Sequence, residues 1–216
     1  MKDRPIIMIG ESVRAILAGT KTQTRRVVRG PVDFVGGQGQ RDDLTCWGYW
    51  VDDMYGRWAV LARGLDQHHA HGLVSMPCPF GVPGGRLWVR ETWRQSPGSM
   101  SVHYRADSDE VAGGPWRSAI HMPRWASRLT LEVTDVRVQR LQEISEEDAR
   151  AEGVPRLQRD APDSPWSEGP AWFRMGFRDA WDALNGKRAP WSSNPFVWAP
   201  TFKVVREPVG CVPEGE

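Results

Sequence analysis

The sequence predicts an α+β fold: a small mixed β-barrel with flanking helices and two long insertions. Six or seven segments alternate as strands do, three have helical periodicity, and the two types do not alternate regularly along the chain. No glycine-rich phosphate-binding fingerprint follows a strand, which disfavours a Rossmann fold. The 216 residues are therefore expected to form one domain over 1–207, with insertions at about 30–76 and 154–190 and a tail over 208–216.

The N-terminal segment is expected to start the core. Pro5 to Ile9 is an apolar run typical of a short buried strand. A helix follows, with Ser12 as its capping residue and Gly19 as its terminator. The apolar side chains of this helix share one face: Val13, Ile16 and Leu17.

The stretch over 17–26 concentrates reactive and charged side chains directly after that helix. A strand is predicted over 21–28, and in a regular strand Lys21 and Thr24 would point to opposite faces. The two side chains can share a site only if the turn at 19–20 holds Lys21 outside the pleat. Two interpretations stay open here: a chemical site, or a polar turn with solvated basic residues.

Further strands are predicted where apolar and polar residues alternate. The segment over 86–93 is expected to be covered on both faces, and a phase change at 134–135 predicts a bulge. Pro200 is expected to separate two closing strands. The predicted strand segments are a hairpin over 47–62 with its turn at 52–56, and single strands over 86–93, 102–106, 128–141, 196–198 and 201–205.

Two more helices are predicted in the C-terminal half. Residues 171–185 form an amphipathic pattern. The other helix spans about 144–153, where Ser145 followed by Asp148 is typical of an N-terminal cap. Glu152 lies in its last turn, at the negative end of the helix dipole, so its carboxylate is expected either to be solvated or to meet a cation from elsewhere.

The formal net charge is only +1, so the protein has no overall positive electrostatic field that would attract a polyanion. Three widely separated cysteines argue against a disulfide framework, and the apolar run over 6–9 is too short for a signal peptide or a membrane span. We therefore expect a cytoplasmic protein with no membrane contact. Any nucleic-acid contact must come from a local patch, such as the five cations over 11–30 that face only Glu11: Arg14, Lys21, Arg25, Arg26 and Arg29.

Further residues are candidates for binding a nucleoside or a nucleic acid. Arg25, Arg26 and Arg90 supply positive charge. Glu91 is either a functional carboxylate or the partner of Arg90 or Arg25. Trp125, flanked by arginines, is either a base-stacking platform or a buried anchor, and base rates favour the anchor.

A metal site is weighed in the first insertion because imidazole and thiolate are zinc ligands. His68, His69 and His71 precede Cys78 by a few residues, but the spacing matches no standard zinc pattern. We therefore expect no metal and no cofactor, with a metal-dependent nuclease as the least favoured alternative.

Three motifs occur in a recognisable order: LAGTKTQTRR over 17–26, PGGRLWVRE over 83–91, and ISEEDA over 144–149 followed by Glu152-Gly153. In this arrangement the chain resembles the ASCH-domain family of the PUA-like superfamily, and within it the larger members that phages or prophages often encode. Gly84-Gly85 stand where that family commonly has Gly-Asp. The resemblance implies a PUA-like β-barrel with a cleft for RNA or a nucleotide-sized ligand.

The same resemblance implies a reaction. Small bacterial relatives remove the acetyl group from acetylcytidine with a lysine, a threonine and a glutamate, which correspond here to Lys21, Thr24 and Glu152. A lysine acts as a neutral base at pH 7 only where its surroundings strongly disfavour its charge, and a carboxylate partner does the opposite. We therefore expect charged Lys21 to stabilise an oxyanion, Thr24 to be or to orient the nucleophile, and Glu152 to carry the proton to the leaving amine. The alternative is a non-catalytic module that binds RNA or DNA.

Overall fold

A computed structural model describes residues 3–28, 78–107, 114–155 and 173–205, together with the backbone of three short strands between the first two ranges. The helices are α1 (Gly10–Leu17), α2 (Glu146–Ala151) and α3 (Phe173–Asn185). The strands are β1 (Arg4–Ile7), β2 (Arg26–Val27), β3 (Val51–Asp52), β4 (Arg57–Val60), β5 (Val74–Met76), β6 (Arg86–Arg90), β7 (Trp93–Gln95), β8 (Val102–Tyr104), β9 (Thr130–Arg140) and β10 (Phe196–Val205).

A five-stranded sheet in the order β1-β6-β9-β10-β2 organises the molecule. Only β1 and β6 are parallel; the other neighbours are antiparallel. Mixed helices and sheets confirm the α+β prediction. Within the described ranges no ladder joins β1 to β2, so the sheet is open by its backbone hydrogen bonds, although the Arg26 guanidinium on β2 donates to the carbonyl of Ile7 on β1 at 2.6 Å.

The main core lies between this sheet and α1. Alternate residues of β6 and β9 face inward, among them Leu87 and Leu131, and Val13 and Ile16 of α1 pack on them. Two expectations for α1 were wrong. The helix begins at Gly10, so the predicted cap lies within the first turn, and Leu17 is 50% exposed. Gly19 ends the helix as predicted, with a φ of 73°.

The long antiparallel pair β9–β10 carries the predicted bulge. Thr201 pairs with Asp135 and Phe202 with Val133, which leaves Thr134 as the extra residue. Pro200 does not separate two strands, because β10 runs through it. A proline lacks a backbone N–H donor but keeps its carbonyl, and the Pro200 carbonyl accepts a hydrogen bond from the Thr24 N–H at 3.1 Å.

The predicted strand over 21–28 is reduced to the two residues of β2. Before β2 the chain is extended but changes partners: Lys21 forms an isolated bridge to Glu152, and Gln23 forms one to Thr201. The regular pleat is broken here. The predicted segment over 86–93 likewise divides into β6 and the start of β7, which pairs with β8.

A second core joins α2 and α3 to the end of β9. Its buried members include Leu141, Ile144, Phe177 and Trp181. The Ser145 hydroxyl accepts the Asp148 N–H at 3.0 Å, which confirms the predicted N-cap. Because α3 packs on α2, the apolar face of α3 lies beside the turn that carries Lys21.

The hairpin predicted over 47–62 is present as β3 and β4, which pair antiparallel and extend to β5 in a separate sheet. His68, His69 and His71 lie outside the described residues, as do Arg29 and the predicted tail. The helix predicted over 171–185 is α3, of which Phe173–Asn185 is described.

Candidate functional site

The turn after α1 holds Lys21 out of the strand pleat. The carbonyl of Ala15 accepts both the Thr20 N–H, at 2.9 Å, and the Lys21 N–H, at 3.1 Å. On the other side of Lys21, the chain at Gly153 comes so close that a Cβ there would lie 2.7 Å from the Lys21 Cβ. Gly153 also has a φ of 74°, so both its space and its backbone conformation favour glycine.

Lys21 and Glu152 form a buried ion pair. The Lys21 Nζ lies 2.8 Å from Glu152 Oε2 and donates a second hydrogen bond to the Glu152 carbonyl, also at 2.8 Å. Lys21 is 4% exposed and Glu152 is 7% exposed. The carboxylate at the unfavourable end of α2 therefore meets a cation, the second of the two outcomes expected from its position.

Arg25 holds the other oxygen of the same carboxylate. Its Nη1 lies 3.1 Å from Glu152 Oε1 and 2.6 Å from the side-chain oxygen of Gln23, and its Nη2 lies 2.8 Å from Asp148 Oδ2. Arg137 bonds the second oxygen of Asp148 at 3.0 Å. Partial burial of Asp148 acts to raise its pKa, but the hydrogen bond from Arg137 and the two guanidinium charges lower the pKa of Asp148 below its ordinary value.

Thr24 lies beside this network. Its N–H is bonded to Pro200, and the residue is 4% exposed. Within the part of the chain that the structure describes, its hydroxyl forms no hydrogen bond, while the residue lines a cavity together with Lys21 and Glu152. A hydroxyl so placed is available to a ligand.

The cavity has a volume of about 420 Å³, within the usual range for small-molecule sites. Its floor is charged and its walls are mainly apolar. The floor contains Lys21, Thr24, Arg25, Arg26 and Glu152. The walls are formed by Ile9 after β1, by Val154 and Pro155 after α2, and by one face of α3: Phe177, Ala180, Trp181 and Leu184.

Other predicted residues lie elsewhere or differ in role. Arg25 is not a free binding residue, because its side chain is fully buried against Asp148 and Glu152. Arg26 does line the cavity; burial lowers the pKa of its guanidinium, and Glu152 partly opposes this. Three cations of the expected basic patch are paired with carboxylates in the described residues: Lys21, Arg25, and Arg14, which lies 3.6 Å from Glu11.

Glu91 forms an ion pair, but with neither predicted arginine. Arg128 holds it with two hydrogen bonds of 2.9 and 3.1 Å. Burial raises the pKa of Glu91, and Arg128 opposes this. Arg90 instead donates to the carbonyl of Ile120. Because Glu91 is 1% exposed and already paired, it serves as a structural anchor at the end of β6.

Trp125 is not the buried anchor that base rates favoured. It is 56% exposed and meets the buried Trp93 edge-on, with a centroid distance of 5.7 Å. The anchor of this region is Trp93. The exposed indole is available to a ligand.

Several site residues were missed by sequence reasoning. Asp148 was assigned only a capping role, although its spacing of four residues from Glu152 places both carboxylates on one helical face. Gln23 and Arg137 carry no sequence signal of their own, because they belong to the site only through their contacts with Arg25 and Asp148 in the folded chain. The sequence predicted α3 only as an amphipathic helix and did not indicate that its apolar face, with Leu184 at the exposed end, lines a cavity.

No group of three or more histidine, cysteine, aspartate or glutamate side chains is arranged to hold a metal ion within the described ranges. Cys78, one of the considered zinc ligands, is a buried free thiol, and burial raises its pKa to about 11. None of the described helices combines the length and apolar character that a membrane span requires.

Comparison with known proteins finds no match for this chain among family models, curated proteins or solved structures. The arrangement of the cavity is therefore the basis on which a function is assigned.

Proposed function

We propose that this protein is an amidohydrolase that removes the acyl group from an acylated nucleoside such as acetylcytidine, and that it is an ASCH-type, PUA-like domain. One observation carries the proposal: a buried lysine–glutamate pair with a 2.8 Å contact and a threonine hydroxyl without a described hydrogen bond line the same cavity. These are the three side-chain types that the sequence resemblance implies for the reaction. The approach of Arg26 to Ile7 supports the barrel, because it brings the two edge strands of the sheet within reach of one side chain.

The chemistry assigns a separate role to each group. Lys21, which is paired with Glu152, stabilises the negative charge that develops on the amide oxygen. Thr24 attacks the carbonyl carbon, or orients the water that does, and the proton released passes to the Glu152 carboxylate. That proton then goes to the nitrogen of the leaving amine as the C–N bond breaks. Where Thr24 is the nucleophile, a water molecule then hydrolyses the Thr24 ester, which releases the acid and restores the hydroxyl. By either route the net reaction consumes one water and needs no redox partner.

The surroundings of Glu152 support this assignment. Each of its oxygens lies against a cation, Lys21 on one side and Arg25 on the other, so the carboxylate is fixed in orientation. Arg25 is itself held by Asp148. Arg25 and Asp148 are thus positioning residues, while Glu152 directs one oxygen toward the lysine.

The size and lining of the cavity support a nucleoside-sized amide. A volume of about 420 Å³ suits a small molecule rather than a folded macromolecule. The apolar wall from α3 suits a planar nucleobase or an acyl chain, whereas the charged floor of the cavity suits the amide.

The test is release of cytidine from acetylcytidine, followed by chromatography, for the wild type and for Thr24→Val, Lys21→Met and Glu152→Gln. Thr24→Val keeps the shape but removes the hydroxyl, so kcat is expected to fall at least about 100-fold. Thr24→Ser should keep measurable turnover. Thr22→Val and Glu147→Gln are matched controls, because both positions are exposed and lie beside the site residues in sequence.

Three outcomes contradict the proposal. The first is a wild type without turnover, and the second is full activity in Thr24→Val. The third is a loss in the Thr22 control equal to that in Thr24→Val. Thermal unfolding of each variant separates lost chemistry from lost folding, because removing one partner of a buried ion pair also destabilises the protein.

A further inference from the structure

A second cavity lies at the tip of the β7–β8 hairpin. Its volume is about 630 Å³, and among the described residues it has no lining residue in common with the first cavity. One side of it is the turn over 96–100, and the other is the segment over 114–117. Two backbone hydrogen bonds between Trp93 and Arg117, of 2.8 and 3.1 Å, join that segment to β7. Hydrogen-bonded backbone therefore frames the cavity.

The two faces of this hairpin differ in polarity. In its register Arg94 lies opposite His103, so these two side chains share one face. Ser96 lies two residues beyond Arg94 and belongs to the same face, where His103 is its diagonal neighbour. The opposite face packs in a small core of five side chains: Trp93, Val102, Tyr104, Met122 and Ala126.

Ser96 and His103 meet on the polar face. The Ser96 Oγ lies 2.7 Å from His103 Nε2 in a partly buried contact, and Ser96 lines the cavity. In the tautomer with its proton on Nδ1, the imidazole accepts the hydroxyl proton of Ser96 at Nε2. The Ser99 hydroxyl instead donates to that of Ser101 at 2.9 Å. Ser96 is thus the hydroxyl of this turn that has a base beside it, the arrangement that activates a serine nucleophile.

Arg94 anchors the wall opposite the turn. Its Nη1 donates to the carbonyl of Gly114 at 3.0 Å, and its guanidinium lies 4.5 Å from the ring centroid of Trp116. These contacts hold the segment over 114–117 against the hairpin. The space beside Ser96 is therefore bounded by a fixed wall, as a small-molecule site requires.

Arg117 gives this cavity a preference for charge. Its exposed side chain lies over the ring of Trp93, 5.3 Å from the centroid, and forms no ion pair with a carboxylate in the described parts of the chain. No acidic side chain is among the described residues that line the cavity. An unpaired guanidinium beside a nucleophile favours a substrate that carries a negative charge.

We propose that Ser96 and His103 are the nucleophile and the base of a second catalytic site, which hydrolyses small carboxylic esters that carry a negative charge. The proposal does not depend on amide hydrolysis in the first cavity, because the two sites use different residues. His103 forms no hydrogen bond through Nδ1 within the described ranges, so this is a pair without an orienting acid.

The reaction has two balanced steps. Ser96 Oγ attacks the ester carbonyl carbon, and its proton passes to His103 Nε2. That proton goes to the leaving oxygen as the C–O bond breaks, which leaves an acyl group on Ser96. A water molecule then attacks the acyl carbon, with His103 taking its proton, and the proton returns to Ser96 Oγ as the acid is released. The net reaction consumes one water for each ester.

The first test is covalent labelling with a biotinylated ethyl fluorophosphonate, followed by digestion and mass spectrometry. Ser96 Oγ bonds to phosphorus, fluoride leaves and the hydroxyl proton goes to His103, so the adduct marks an activated serine. We expect the adduct on Ser96 of the wild type. His103→Gln should slow its formation at least about 100-fold. Ser118→Ala is the matched control and should be labelled like the wild type, because Ser118 is exposed and does not line the cavity.

Turnover is measured by chromatography with 4-acetoxybenzoate and its uncharged methyl ester, after subtraction of the rate in buffer. The wild type should favour the charged ester. Arg117→Gln should reduce that preference about threefold, as expected for one exposed charge pair, and should leave the methyl ester unaffected. Ser96→Ala should abolish turnover of both esters, whereas Thr24→Val should change neither. Thermal unfolding of each variant shows whether the fold is retained.

Several results would overturn the proposal. They are a wild type without an adduct on Ser96, equal labelling rates in His103→Gln and the wild type, and full ester turnover in Ser96→Ala. Loss of ester turnover in Thr24→Val would place the reaction in the first cavity instead. An unchanged preference in Arg117→Gln would refute the assignment of charged substrates. A failure to hydrolyse acetylcytidine bears on the proposed function alone.

Discussion

The buried ion pair between Lys21 and Glu152 yields a quantitative prediction for stability. Both side chains are about 5% exposed or less, at 4% and 5%. Breaking a buried pair by removing one partner costs about 3–5 kcal/mol, because the remaining charge is left uncompensated. Glu152→Gln leaves two cations, Lys21 and Arg25, facing a neutral amide, whereas Lys21→Met leaves Glu152 with Arg25 as a partner.

We therefore expect Glu152→Gln to cost more than Lys21→Met, with losses of about 4 and about 3 kcal/mol in the free energy of unfolding. For a chain of this size each kcal/mol corresponds to roughly 2–4 °C in Tm, so the drops should be about 8–16 °C and about 6–12 °C. The double variant should lose less than the sum of the two, by about 1.5 kcal/mol or more, because the second change removes a charge that the first one left unpaired.

The measurement is urea denaturation followed by circular dichroism for the wild type, the two single variants and the double variant. Glu147→Gln, on the exposed side of α2, should change the free energy by no more than about 0.5 kcal/mol. Losses in the two single variants that add within about 0.5 kcal/mol in the double variant would refute the reasoning, since independent sites add in that way.

Three further predictions concern other parts of the molecule. Gly153→Ala should cost more stability than Gly98→Ala, because both glycines have a positive φ but only a Cβ at 153 meets a neighbour, at 2.7 Å; equal losses of Tm would contradict this. Cys78 should resist alkylation by iodoacetamide at pH 8 until urea unfolds the chain, because a pKa of about 11 leaves roughly one thiol in a thousand ionised; rapid labelling of the native protein in a peptide map would show otherwise. Asp148 has a lowered pKa, so its contribution to stability is present above its ordinary pKa and is lost as the pH falls through its pKa in the folded protein. The urea midpoint of Asp148→Asn should therefore depend less on pH below about 4 than that of the wild type. Identical acid profiles for the two proteins would count against this prediction.

Local patterns in the sequence predicted features whose physics is local. Gly19 as a helix terminator, Ser145 as a helix cap and the bulge at Thr134 each depend on a few neighbouring residues, and all three are present. The helix dipole indicated that Glu152 needs either solvent or a cation. That choice was not decided by the pattern, because it depends on what lies against the last turn of α2.

Expectations that depend on distant neighbours were less secure. Glu91 pairs with Arg128 rather than Arg90 or Arg25, because the register of β6 and β9 decides which charge lies beside the end of β6. Trp125 is exposed because Trp93 already occupies the interior beneath it. A base rate for tryptophan cannot anticipate which of two indoles fills a given space.

The sequence by itself determined the mixed architecture, most helices and strands, and the three side-chain types of the candidate site. Tertiary structure alone decided that Lys21 and Glu152, 131 residues apart, lie 2.8 Å from each other, and that α3 forms one wall of the cavity beside them. The physical reason is that propensity, capping and periodicity act over a few residues, whereas a buried ion pair requires two desolvated charges brought together by packing. The turn at Ala15, the close approach at Gly153 and the packing of α3 on α2 supply that convergence here.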